Sequence, residues 1–309
     1  MVSGSGLRVL SWNVQGAVPP NGSIKRIENQ IGFLEEEVNL PDLVMLNEVT
    51  TIQRERWRES LAEIGYTKIV DTLEWAAELR ESTIPPHQDY NHVNGNLIAL
   101  HESSNATELT RLNPSIRYGP WENTDLKDWD TNVPEKILNA SVLHGEHEIE
   151  LWNVRAVPGS MHGEEKIKIL ENTYNRIMKG AESPCILAGD FNSPKEELAD
   201  GTTIPWRHEQ EGELARRWRE AELNILLGLE EKGMVDVFRA QHGYGELNVL
   251  DVSHATQTKN PESVAPAEVK GKRFDHMIAS QELDPYACYY DHAGFNCSDH
   301  APLIAEFNA

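Results

Sequence analysis

The chain of 309 residues is 39% apolar and 25% charged, a balance that supports a sizeable buried core and excludes a mainly disordered chain. Fifty acidic residues against 28 basic ones give a formal net charge of -22, which argues against non-specific coating of a polyanion, although a bound cation would reverse the field locally. Met1 to Gly6 lacks the basic and apolar regions of a signal peptide, no apolar run approaches the ~18 residues that span a bilayer, and Cys185, Cys288 and Cys297 can neither all pair nor form a zinc site; the expectation is a cytoplasmic monomer with one domain over 1–309.

Short β-like runs alternate with amphipathic segments, the pattern of an α/β layered domain. In chain order, a strand is expected over Arg8–Asn13, then a helix carrying Ile24, Ile27, Ile31, Leu34 and Val38 at three-and-four spacing. Strands follow over Leu43–Glu48, Gly95–Leu100, Lys136–Leu143 and Ile149–Val154. A second helix shows Ile167, Leu170, Tyr174 and Ile177 on one face, ahead of a strand over Pro184–Asp190. The third helix sets Leu214, Trp218, Ala221, Ile225 and Leu229 opposite Arg216, Arg217 and Arg219, which read as a solvated, salt-bridged face. The last strands are expected over Arg273–Ala279 and Pro302–Phe307. Two segments are irregular, Thr83–Asn94 with His87, Tyr90 and His92, and Gln241–Gly271; stretches of such length tend to be functional or mobile.

Six short stretches place an oxygen ligand or hydrogen-bonding group at or just after an apolar run: Ser11-Trp12-Asn13-Val14-Gln15-Gly16, Leu46-Asn47-Glu48-Val49, Trp152-Asn153-Val154-Arg155, Leu187 to Pro194, Arg273-Phe274-Asp275-His276, and Ser298-Asp299-His300-Ala301-Pro302-Leu303. Taken alone, Asn13 and Asn153 also suit turns, and Glu48 a solvated strand end. Asp190 and Asn192 would share a direction, and one cleft, if the backbone there stays extended. His300, beside Asp299 and ahead of an apolar strand, is a switchable proton group at a cleft edge.

In order and wording these stretches resemble the endonuclease/exonuclease/phosphatase superfamily, which includes exonuclease III-like and DNase I-like enzymes, across nearly the whole chain from Ser11 to Phe307. The resemblance implies a four-layer α/β (α+β) sandwich, two mostly antiparallel sheets face to face with helices outside, and a site at one open edge. It implies Glu48 as principal metal ligand with Asn13 beside it and Asp299 near the same ion, which would be Mg²⁺ or Mn²⁺ given such oxygen donors. Asp190 would orient or deprotonate water, Asn192 would hydrogen-bond a phosphate oxygen, and His300, oriented by Asp275, would donate to the phosphate. Asn153 completes the implied catalytic group.

Where many relatives carry His or Tyr after the strand Asn, this chain has Arg155, which could clamp a phosphate but not shuttle a proton, or could turn outward to pair with a Glu. Gln15 replaces an Asp found in several abasic-site nucleases. Lys272 and Arg273 are candidate phosphate contacts at the rim, with a merely solubilising loop as the alternative. The substrate implied is nucleic acid. A small or lipid phosphoester would suit the acidic surface, and a binding module without turnover is opposed by the intact polar set.

Overall fold

The structure is a computed structural model that describes residues 6–17, 23–73, 76, 93–113, 131–159, 163–180, 182–198, 200–244, 252–255 and 271–309. His87, Tyr90, His92 and most of 241–271 therefore lie outside the described residues. Twelve strands build the two large sheets: β1 (Leu7–Asn13), β2 (Leu43–Thr50), β3 (Tyr66–Asp71), β4 (Asn94–His101), β5 (Ala106–Arg111), β6 (Ile137–His144), β7 (His147–Val154), β8 (Cys185–Asp190), β9 (Met234–Asp236), β10 (Asp275–Ser280), β11 (Pro285–Tyr290) and β12 (Leu303–Phe307). The first sheet runs β11-β12-β1-β2-β4-β3 and the second β9-β10-β8-β7-β6-β5. Each has one parallel pair at its centre, β1 with β2 and β7 with β8, and antiparallel neighbours elsewhere.

Strand alternation divides the apolar residues into layers. Val9, Leu43, Met45 and Ile98 of the first sheet meet Leu138, Leu151, Ile186 and Met277 of the second in the central core. The opposite face of the first sheet, with Leu10, Trp12, Val44 and Leu46, is covered by α1 (Ile24–Glu36) and α2 (Arg54–Glu63) through Ile27, Phe33, Leu34, Trp57 and Leu61. The outer face of the second packs Trp152, Cys185, Leu187 and Ile278 against α3 (Glu165–Lys179) and α4 (Glu213–Leu226). This is the four-layer α/β sandwich expected from the sequence. A short α5 (Val237–His242) follows β9. No described helix is long and apolar enough to cross a membrane.

All eight expected strands are present, and they are the eight interior strands of the two sheets. The four that hydropathy missed, β3, β5, β9 and β11, are the sheet edges. Edge strands bury less and here carry polar runs, as in Ala106–Arg111 (ATELTR), so their alternation is weak. Helix α2 also went unread because its buried face consists only of Trp57, Ser60 and Leu61. Ile24, placed by spacing on the buried face of α1, is 56% exposed because it stands in the first turn, just after the Ser23 cap. Two of the three α4 arginines form the salt-bridged face anticipated, Arg216 with Glu213 and Glu220 and Arg217 with Glu164 and Glu171, while Arg219 donates instead to the Arg207 and Gln210 carbonyls.

Between the sheets runs a ladder of amides. Asn47 on β2 donates Nδ2 to Asn153 Oδ1 of β7 at 2.6 Å and to Asn96 Oδ1 of β4 at 3.0 Å. Asn153 returns Nδ2 to the Leu46 and Leu97 carbonyls, each at 3.0 Å, while Asn96 reaches the Lys136 and Asn153 carbonyls at 2.7 and 2.8 Å. The placement of Asn153 corrects its expected catalytic role. Its amide is 0% exposed and fully occupied across the sandwich, so it holds the sheets in register. Asn153→Leu leaves two carbonyls and an amide N–H unpaired, each worth ~1–3 kcal/mol when buried. Urea denaturation should show a loss of about 3 kcal/mol or more, and wild-type stability would mean that the ladder is dispensable.

Candidate active site

The rim where β1, β2 and β8 end lies beside the starts of the antiparallel β10 and β12, so Asn13, Glu48, Asp190, Asp275 and His300 are delivered to one place. Strict alternation would send Asn47 and Glu48 to opposite faces. The β2–β4 register shifts between Leu46 and Val49, and Glu48 sits in the left-handed region with φ of 62°. This bulge re-aims its carboxylate while Asn47 stays in the ladder. At the end of β8, Gly189 has φ of 140°, and a Cβ there would lie 1.9 Å from the Val154 carbonyl oxygen, so only glycine lets the two strands approach.

Asn13 ties the two sheets together chemically: Nδ2 donates to Glu48 Oε1 at 3.1 Å and to Asp190 Oδ2 at 3.0 Å, and Oδ1 accepts the Gln15 N–H at 3.0 Å. The Asp190 backbone N–H is held by Asn47 Oδ1 at 3.1 Å. Asp190 and Asn192 do converge, but through a turn and not through the extended backbone anticipated, since Asn192 has φ of 48°. Asn192 donates its backbone N–H to Asp190 Oδ1 at 2.9 Å and its Nδ2 to Asp190 Oδ2 at 3.1 Å and the Ala156 carbonyl at 2.9 Å. Both amide hydrogens are thus occupied, and the side chain positions Asp190.

His300 Nδ1 lies 2.7 Å from Asp275 Oδ2, the orienting pair expected from the sequence. Asp275 is held in turn by its backbone N–H, donated to Ser253 Oγ at 2.9 Å. Nε2 of His300 lies 3.9 Å from Asp299 Oδ1 and 3.5 Å from Asn13 Nδ2. Ser298 Oγ donates to the Asn13 carbonyl at 2.7 Å and accepts the His300 N–H at 3.2 Å, locking the loop before β12 onto β1.

Burial alone would raise the Glu48 carboxyl, but Arg155 beside it, with His300 and Asn13, brings it down to about 2. Arg155 pairs with Glu48 inside the site, with Nε 4.0 Å from Asp190 Oδ2, so it does not face outward. Asp190 is raised to about 6 by burial and the neighbouring Asp275, despite His300 and Arg155. Burial disfavours the imidazolium of His300, but the Asp275 and Asp190 carboxylates push it up to about 10.

The donor set fits a hard divalent cation. Two groups of ligating atoms each lie within 4.8 Å of one another, Asp190 with Asp275 and His300, where two carboxylates meet one imidazole, and Asp299 with His254 and His300, where one carboxylate meets two. Asp275 Oδ1 is buried without a hydrogen-bond partner among the described residues. The carboxylates of Glu48, Asp190, Asp275 and Asp299 outnumber the cations Arg155 and protonated His300, leaving negative charge to be balanced. Of the expected ligands, Asn13 turns its Nδ2 to the Glu48 and Asp190 carboxylates and its Oδ1 to the Gln15 N–H.

The two rim cations part company. Lys272 donates Nζ to the Lys195 carbonyl at 2.7 Å and remains half-buried. Arg273 turns inward, Nε to Glu197 at 2.8 Å and Nη2 to Asp236 at 2.7 Å, with Arg239 completing the cluster at 2.6 Å from Glu197. Arg273 is therefore a buried structural ion and not a phosphate contact. Sequence reasoning missed Asn47, whose only signal was its place one residue before Glu48, and Ser253, whose Oγ accepts the Phe274 and Asp275 N–H groups from a distant loop.

A model of the Endonuclease/Exonuclease/phosphatase family matches residues 10–300. Among solved structures, an AP endonuclease from Archaeoglobus fulgidus is 20% identical with a TM-score of 0.61, covering 98% of this chain and 100% of that one. TDP2 from D. rerio, complexed with single strand DNA product, is 18% identical with a TM-score of 0.56, covering 99% and 100%. The AP endonuclease LMAP from Leishmania major is 17% identical with a TM-score of 0.54, covering 98% and 88%. These likenesses are of fold. Among curated proteins none matches the sequence.

Burial opposes ionisation of Glu197 and Asp236, yet Arg273 and its neighbours hold both carboxyls below their ordinary values. Their contribution is therefore present above pH ~4 and lost as pH falls through the depressed folded values. Arg273→Leu should cost about 3–5 kcal/mol at neutral pH by chemical denaturation, with the deficit narrowing in acid. A deficit that is absent, or that widens in acid, would overturn the assignment.

Proposed function

The chain belongs to the endonuclease/exonuclease/phosphatase family and is a metal-dependent phosphoester hydrolase; from that premise we propose that it cleaves phosphodiesters of nucleic acid, as one catalytic domain over 1–309, with Asp190 activating water and His300 stabilising the phosphate. The observation that carries this reading is the pair of poised groups at one rim. A buried carboxyl raised to about 6 is anchored by Asn13 and Asn192, beside an imidazole raised to about 10 that is anchored by Asp275.

Asp190 Oδ1 accepts one backbone N–H, and a carboxylate oxygen has room for a second donor, so a water held there loses its proton to a base whose pKa lies near the working pH. His300 is cationic at neutral pH, and its Nε2–H donates to a phosphate oxygen as negative charge builds. Arg155 keeps Glu48 ionised and cannot itself accept a proton. Glu48, with Asp299 and Asp190 nearby, would hold Mg²⁺ or Mn²⁺, which when bound neutralises the developing oxyanion and the departing oxygen.

The D. rerio relative with its single strand DNA product and the two AP endonucleases support a polynucleotide substrate. The net charge of -22 favours a second reading, a small or lipid phosphoester. Plasmid nicking, single-strand degradation and bis-p-nitrophenyl phosphate hydrolysis in Mg²⁺ separate the two, since turnover of the small ester alone excludes polynucleotide cleavage. Asp190→Asn and His300→Ala should each lower turnover by about 10²–10⁴-fold in protein that remains folded, and EDTA should silence the wild type until Mg²⁺ or Mn²⁺ is restored. Metal-dependent turnover surviving in Asp190→Asn refutes the role given to that residue.

A further inference from the structure

Beside Asn192 opens a cleft of about 500 Å³ lined by Trp206, Trp218, Arg207, Lys272 and Phe274. Its walls come from the turn before α4, α4 itself, Lys166 of α3, the Pro158-Gly159 stretch after β7 and the approach to β10, and Asn192 joins it to the reacting rim. Trp206 is 36% exposed, an unusual setting for a large indole in a soluble chain. Its Nε1 donates to the Asn192 carbonyl at 3.0 Å, so the ring is fastened to the residue that positions Asp190.

The wall is built on a buried carboxylate. Glu222, 0% exposed, accepts the Trp218 indole N–H at 2.9 Å and the Trp206 backbone N–H at 2.7 Å, and pairs with Lys166 at 2.6 Å. Lys166 Nζ donates to the same Asn192 carbonyl at 2.8 Å. A Cβ on Gly159 would lie 2.2 Å from the Trp218 ring, so a glycine is required where the chain passes that indole. The Arg207 guanidinium lies 4.4 Å from the Trp218 ring centre. Neither Arg207 nor Lys272 forms an ion pair with a carboxylate among the described residues, in a chain whose formal charge is -22.

We propose that this cleft is a nucleobase subsite: the base of the nucleotide adjoining the scissile phosphate stacks on Trp206, and Arg207 and Lys272 face its phosphates. An accessible indole with unneutralised cations is the combination that holds single-stranded nucleotides, because every base offers a π-face and every link an anion. The inference rests on the hydrolase reading and specifies which part of the substrate the chain recognises.

The test is equilibrium binding of deoxyadenosine 5′-monophosphate and of deoxyribose 5-phosphate, which lacks the base, to the full chain in Mg²⁺. The wild type should prefer the nucleotide by about tenfold or more. Trp206→Ala should erase that preference without weakening deoxyribose 5-phosphate, and Trp206→Phe, which keeps a ring but loses the N–H to Asn192, should retain most of it. A wild type without preference, or a preference that survives Trp206→Ala or vanishes equally in Trp206→Phe, overturns the proposal. A wild type that shows no base preference yet hydrolyses phosphodiesters sinks the subsite alone. A Trp206-dependent preference in a chain that hydrolyses no phosphodiester sinks the hydrolase reading alone.

Discussion

A single amide nitrogen, Nδ2 of Asn13, donates to a carboxylate from each sheet, Glu48 and Asp190. Two buried carboxylates side by side repel, and removing each from water costs several kcal/mol. Arg155 and the protonated His300 offset part of that cost, and the excess of negative charge that remains suits a cation. The devices around the rim maintain this unfavourable gathering: the bulge at Glu48, the glycine at 189 that lets β8 approach β7, and the amide ladder that fixes one sheet over the other. The ladder reaches the site directly, since Asn47 holds both Asn153 and the Asp190 backbone.

The interior of the fold was legible because burial on both faces leaves near-continuous apolar runs, as in Leu43–Leu46 and Cys185–Ala188. Edges carry no such imprint. Tyr66–Asp71 leaves Thr67 and Lys68 exposed, and Met234–Asp236 is only three residues long. These strands exist because a neighbour offers hydrogen bonds, which is a property of the assembled sheet.

The site divides similarly. The pairing of His300 with Asp275 and the grouping of Asn13, Glu48 and Asp190 were implied by the family resemblance, which the ordered stretches at strand ends carry. What each side chain does with its hydrogen-bonding capacity depended on partners far away in the chain. Asn153 spends its amide on Leu46 and Leu97, Arg273 its guanidinium on Glu197 and Asp236, and Arg155 its charge on Glu48. Trp206 was absent from the expected site because its turn follows the recognisable Asp190–Asn192 stretch by more than a dozen residues, and only folding brings its indole back to Asn192.

If the crowding of carboxylates at the rim is what creates demand for a cation, removing one charge must weaken the cation more than it weakens the fold. Calorimetric titration of Mn²⁺ into the wild type and Glu48→Gln tests this most directly. The account predicts one saturable binding event in the wild type and an affinity at least about tenfold lower in Glu48→Gln, with both proteins folded. Equal Mn²⁺ affinity in the two proteins, or no binding to the wild type, would contradict it.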